Sequence, residues 1–134
     1  MNPERRLFVA ESDLTDLRIL VVEDEYLIAD DLRDTLIDAK AVVLGPVATV
    51  DAAQAIVASE AVIDAALLDI NLGGILIFGV ADALVERRVP FAFATGYDRW
   101  SIPDRFSDVP RLEKPLRLRQ VAGVLELLTA RQTT

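Results

Sequence analysis

The sequence contains neither cysteine nor histidine. Without thiols it can form no disulfide and no thiolate metal site, the usual supports of small secreted domains, so a cytoplasmic location is expected. Without imidazole it offers no histidine base, no histidine metal ligand and no phosphohistidine of its own. Chemistry therefore falls to carboxylates, hydroxyls, lysine and arginine. Positive charge is also scarce: 14 Lys and Arg stand against 22 Asp and Glu, a net charge of -8. That balance opposes binding to nucleic-acid phosphates or to acidic lipid. No apolar run approaches the length of a membrane span, and Leu7 to Ala10, after Arg5 and Arg6, is too short for a signal-peptide core. A soluble protein is expected.

What is present suits one globular domain. The 134 residues are 52% hydrophobic and 27% charged, enough to bury a core at a length typical of a single domain. Residues 1–16 mix charge with Pro3, Ser12 and Thr15 and show little periodicity, so they are expected to form a loosely held extension. The domain is expected to span 17–130, with 131–134 as a tail.

From Leu17 onward, short apolar runs alternate with longer amphipathic stretches, the pattern of a buried parallel sheet wrapped by helices. Five strands are expected at Ile19 to Val22, Val42 to Leu44, Ala65 to Leu68, Phe91 to Ala94 and Arg111 to Glu113. Ile28, Leu32 and Leu36 recur at helical spacing with Asp30, Asp31, Arg33 and Asp34 on the other face. Thr49 or Asp51 can cap a second helix carrying Ala53, Ile56 and Val57. A third is expected from Leu76 to Arg87 and a last from Leu116 to Thr129. The connection from Gly96 to Val109 is rich in turn formers, so the fourth of five helices is expected to be short or irregular. The fold class is therefore α/β, a flavodoxin-like doubly wound five-stranded parallel sheet of order 2-1-3-4-5.

Ligands in such sheets sit beyond the carboxyl ends of strands 1 and 3, which nominates Glu23, Asp24 and Asp69. Taken alone, Glu23 and Asp24 could equally serve the start of the following helix. With Asp69 they make three converging negative charges, a costly cluster unless a cation neutralises it, and all-oxygen ligands with room for water suit Mg²⁺. Thr95 and Lys114 close strands 4 and 5 at the same edge. A carboxylate nucleophile, a cation site, a hydroxyl and an ammonium are the parts phosphoryl transfer requires. Asp69 would take the phosphoryl group. The metal would bridge Asp24, Asp69 and the backbone carbonyl of Asn71, with Glu23 holding it partly through water, while Lys114 and Thr95 contact phosphoryl oxygens.

In this arrangement the sequence resembles the response-regulator receiver family. The matching residues are Val21-Val-Glu23-Asp24-Glu25, Leu67-Leu-Asp69-Ile-Asn71-Leu, Thr95, and Lys114-Pro115, in order at strand ends across residues 17–130. The resemblance implies Glu23 and Asp24 as metal ligands, Asp69 as phospho-acceptor, Thr95 as switch hydroxyl, Lys114 as phosphate contact, and a cis peptide bond at Lys114-Pro115. It also implies a sensor histidine kinase or histidine phosphotransferase as partner. The stretch Phe91-Ala-Phe-Ala-Thr95-Gly96-Tyr97 further resembles the receiver subgroup named for its Phe-Ala-Thr-Gly-Tyr motif, whose members are often single-domain. Many receivers carry an aromatic residue on strand 5, where this chain has Arg111-Leu112-Glu113; Tyr97 is a candidate substitute or an apolar lid.

The expected function is thus a stand-alone response regulator, self-catalysing phosphoryl acceptance without being a metabolic enzyme. One alternative is a phosphatase of haloacid-dehalogenase type, which needs an Asp two residues after the nucleophile, where Asn71 stands. The other is a receiver-shaped binding module without phosphate turnover. The apolar segment Gly74-Ile-Leu-Ile-Phe78 is either helix-packing surface, the favoured reading, or a docking patch.

Overall fold

The computed structural model describes residues 12–96 and 102–130. Five parallel strands form the main sheet: β1 (Arg18–Val22), β2 (Val42–Val47), β3 (Ala65–Asp69), β6 (Phe91–Thr95) and β7 (Arg111–Glu113). Their order, β2-β1-β3-β6-β7, is the expected 2-1-3-4-5 order of core strands. Two short strands, β4 (Asn71–Leu72) and β5 (Ile75–Leu76), pair antiparallel as a separate hairpin. The helices are α1 (Tyr26–Asp38), α2 (Val50–Ser59), α3 (Phe78–Glu86) and α4 (Leu118–Ala130).

Successive strand side chains point to opposite faces, so unbroken apolar runs fill both sides of the sheet. Leu20, Val22, Ala66, Leu68 and Phe93 pack with Ala53 and Val57 of α2 and with Val80, Ala81 and Leu84 of α3. Ile19, Val21, Ala65, Leu67 and Ala94 pack on the other side with Leu32 and Leu36 of α1 and with Val121, Leu125 and Leu128 of α4. Each fully buried leucine, isoleucine or phenylalanine contributes about 1.5 to 3 kcal/mol. Of the two caps considered for α2, the structure uses Thr49, whose Oγ1 accepts the Ala52 N–H at 3.1 Å.

Three local differences from the sequence reading have physical causes. Leu14, within the expected loose extension, is fully buried against the α1 and α4 side of the core, and its N–H donates to the Ala39 carbonyl at 3.0 Å. β2 continues to Val47 through Gly45-Pro46, where a bulge in its pairing with β1 lets the strand run on past residues that usually end one. Gly45 has φ +100°, and a side chain there would meet the Val21 carbonyl oxygen at 2.9 Å. The segment from Gly74 to Phe78 divides. Ile77 and Phe78 pack into the core as favoured, but Ile75 and Leu76 form β5 and stay exposed.

The connection after β6 has no long helix among its described residues, only a 3₁₀ turn at Asp104–Phe106. Phe106 is buried there, stacked on Phe78 with centroids 5.7 Å apart and edge-on to Phe93 at 5.6 Å. Ile102 is buried with it, while Tyr97 and Trp100 lie outside the described residues. No helix among the described residues is long and apolar enough to cross a membrane.

Candidate functional site

β1, β3, β6 and β7 end at one edge of the sheet, and each delivers a polar side chain there. Glu23, Asp69 and Thr95 are buried, Lys114 is half-buried, and Asp24 faces solvent. The Lys114 ammonium donates to Asp69 Oδ2 at 3.1 Å and to Glu23 Oε2 at 3.2 Å, and lies 3.6 Å from Glu25 Oε2. Asp69 Oδ1 accepts the Asn71 N–H at 3.3 Å. The Lys114-Pro115 peptide is cis, as the resemblance implied.

Glu23, Asp24 and Asp69 each bring a carboxylate oxygen within 4.8 Å of the others. Glu23 does not cap α1: its Oε2 accepts the N–H of Glu25, at 3.1 Å, while its Oε1 is buried with no hydrogen-bond partner. A buried carboxylate oxygen without a partner is expensive, and a cation relieves it. Three carboxylates with one orphaned buried oxygen among them make an all-oxygen ligand set that suits Mg²⁺ with water completing the shell.

The electrostatics agree with that fit. Burial, reinforced by the Asp69 charge, pushes the Glu23 carboxyl up to about 7 against the pull of the Glu25 N–H and Lys114. Burial likewise raises Asp69 above its ordinary value, though Glu23, Lys114 and the Asn71 N–H oppose it. Lys114 is also raised: burial works against its charge, but Glu23 and Asp69 outweigh that. Both shifts favour the protonated carboxyls over the charged ones, and a divalent cation can supply the missing compensation.

An open cleft of ≈ 900 Å³ exposes this edge, lined by Asp24, Asp69, Asn71, Thr95, Lys114 and neighbours. All five side chains expected at the site are therefore together, with Asn71 on the cleft wall. Glu25 was not assigned a role from sequence, although the acidic run Glu23-Asp24-Glu25 contains it. It adds an exposed negative charge at the rim beside Lys114.

SdrG from Sphingomonas melonis Fr1 is similar over 84% of this chain and 96% of its own, with 46% identity and a TM-score of 0.73. The chain belongs to the response-regulator receiver family. A receiver protein from Sinorhizobium medicae WSM419 matches at 25% identity and TM-score 0.74, covering 88% of this chain and 98% of that one. The BeF₃-activated conformation of SdrG from Pseudomonas melonis Fr1 matches at 45% identity and TM-score 0.70, over 88% and 98%. Comparison with protein-family models and with curated proteins gives no match. Receivers bind Mg²⁺ in an acidic pocket, and Glu23, Asp24 and Asp69 form a group of that kind at the receiver's sheet edge.

Proposed function

We propose that this receiver is a stand-alone cytoplasmic response regulator that accepts a phosphoryl group on Asp69 from a histidine kinase or histidine phosphotransferase. The observation that carries the reading is the Lys114 ammonium seated on Asp69 Oδ2 beside the Glu23–Asp24 pair. An Asp69 oxygen would form the new P–O bond as the P–N bond to the donor imidazole breaks, the leaving nitrogen keeping the electron pair. Lys114, already at the acceptor, would pair with an equatorial phosphoryl oxygen, and Thr95 would donate a hydrogen bond to another. Mg²⁺, held by Glu23, Asp24, Asp69 and the Asn71 carbonyl, would supply the remaining charge compensation.

Support also comes from the solved BeF₃-activated form of a relative with 45% identity. The Phe91-Ala-Phe-Ala-Thr95-Gly96-Tyr97 stretch places the chain, in our reading, in the Phe-Ala-Thr-Gly-Tyr subgroup, with Tyr97 outside the described residues. The phosphatase alternative loses ground at Asn71, whose side-chain oxygen accepts the Gly74 N–H at 2.7 Å and shapes a turn. Output would pass through residues 96–109, directly downstream of Thr95, to a protein partner. Labelling with acetyl phosphate and Mg²⁺, compared between wild type and Asp69→Asn by intact mass, tests the reading.

A further inference from the structure

Lys114 carries one ammonium, yet three carboxylates converge on it. Asp69 Oδ2 and Glu23 Oε2 accept from it at 3.1 and 3.2 Å, and Glu25 Oε2 stands 3.6 Å away, outside hydrogen-bond reach. Glu25 occupies the N-cap of α1, where a side chain usually accepts from the helix, but it makes no cap hydrogen bond. Its own N–H donates to Glu23 Oε2 at 3.1 Å, which fixes its backbone against the site. Its side chain is 59% exposed, so it fills no part of the core. What it meets is the Lys114 ammonium.

The charges at this edge show what that contact does. Glu23, Asp24 and Asp69 form the group that suits a divalent ion, and such an ion together with Lys114 would match those three carboxylates charge for charge. Glu25 is then surplus. The imbalance grows once Asp69 is phosphorylated, because its carboxylate becomes a neutral ester while the phosphoryl group brings about two negative charges. Lys114 must then serve a phosphoryl oxygen, and Glu25 is left beside it as a competing and repelling charge.

We infer that Glu25 is a positioning residue that holds back the phosphorylated state: it competes with the phosphoryl group for Lys114 and leaves the acyl phosphate short of positive charge. Such a state gives up its group readily. The P–O bond to Asp69 breaks with its electron pair kept by the carboxylate, as phosphorus passes to an imidazole nitrogen or to water. Glu25 thereby sets how far the transfer equilibrium lies toward Asp69. This inference rests on the phospho-acceptor function proposed for Asp69.

The test uses the full chain with Glu25→Gln, which removes the charge and keeps the length, and with Glu25→Asp, which keeps the charge. Asp31→Asn removes an exposed carboxylate farther along α1 as reference. Beryllofluoride, a phosphoryl mimic, is titrated by calorimetry at saturating Mg²⁺, and Mg²⁺ is titrated alone. Glu25→Gln should bind beryllofluoride about threefold more tightly, the effect of one unit charge several ångströms away at a wet rim, and the gain should fade at high salt. Its affinity for Mg²⁺ alone should instead fall about twofold, since a nearby negative charge attracts the cation. Glu25→Asp and Asp31→Asn should both stay near wild type. Opposite changes for anion and cation cannot come from a merely loosened site, which would weaken both. Unchanged or weaker beryllofluoride binding in Glu25→Gln would overturn the inference. So would an equal gain in Asp31→Asn, or a loss of Mg²⁺ affinity of about tenfold or more, which would make Glu25 part of the metal site. Acetyl phosphate labelling of wild type is read in parallel. If wild type takes no phosphoryl group, the phospho-acceptor reading falls and the inference with it; if it is labelled while Glu25→Gln binds beryllofluoride as wild type does, the inference alone falls.

Discussion

The Lys114 Nζ lies 3.1 Å from Asp69 Oδ2 while also touching Glu23 Oε2 at 3.2 Å, so one ammonium bridges two buried carboxylates, one directly after β1 and one closing β3. Removing one partner from such a set leaves the others buried and repelling. Lys114→Met should therefore destabilise the metal-free protein at pH 8 by about 2 kcal/mol. The loss should shrink at pH 6, where protonation of Glu23, whose carboxyl is raised to about 7, takes over part of the compensation. Urea unfolding at the two pH values checks this; equal midpoints for wild type and variant at pH 8 would contradict it.

Mg²⁺ and protons should compete for the same carboxylates. Glu23 titrates higher in the folded protein, at about 7, than the 4.5 of an ordinary glutamate. The folded state thus binds more protons than the unfolded one between those values, and metal-free stability falls as pH rises from about 4.5 to about 7. Mg²⁺ should restore it. At ten times its dissociation constant the ion contributes about 1.4 kcal/mol, a melting-temperature rise of roughly 4 to 7 °C. The rise should be larger at pH 8 than at pH 6 and nearly absent in Asp24→Asn. Thermal melts with and without MgCl₂ measure it.

The irregular connection after β6 should be held by its aromatic anchor and not by its ion pair. Phe106→Ala removes a ring packed among Phe78, Phe91 and Phe93 and should cost about 3 kcal/mol. The Arg105–Asp82 pair, with contacts at 2.9 and 3.0 Å, is exposed on both sides, so Asp82→Ala should leave the unfolding midpoint nearly unchanged. If output runs through this segment, amide exchange across 102–109 should change when beryllofluoride and Mg²⁺ are added to wild type, and not in Thr95→Val. Unaltered protection there, with responses elsewhere, would place the output surface on another face.

The strands were legible because a strand covered on both faces must be apolar at every position, as Ala65 to Leu68 and Phe91 to Ala94 are. The site followed from them, since Glu23, Asp69, Thr95 and Lys114 directly follow or close strands whose ends share one edge. What the sequence hid depends on contacts made far along the chain. Leu14 is a lone apolar residue among Ser12, Asp13, Thr15 and Asp16, and it is buried by core side chains that come from far along the chain. Glu23 and Asp24 are neighbours of similar chemistry, yet one turns inward to Lys114 and the other outward. The hairpin had a local signal in Gly73-Gly74, but its two-residue strands are too short for any alternation to show.

Intact mass after incubation with acetyl phosphate and Mg²⁺ tests Asp69 as the phospho-acceptor most directly. Asp69 alone among the clustered carboxylates has one oxygen on the Lys114 ammonium and the other on the Asn71 N–H, the arrangement that holds a nucleophile facing the cleft. Wild type should gain a single phosphoryl group, lost again on alkaline treatment as an acyl phosphate is. Asp69→Asn should gain none while keeping its fold by circular dichroism. Equal labelling of the two proteins, or no labelling of folded wild type, would contradict the assignment.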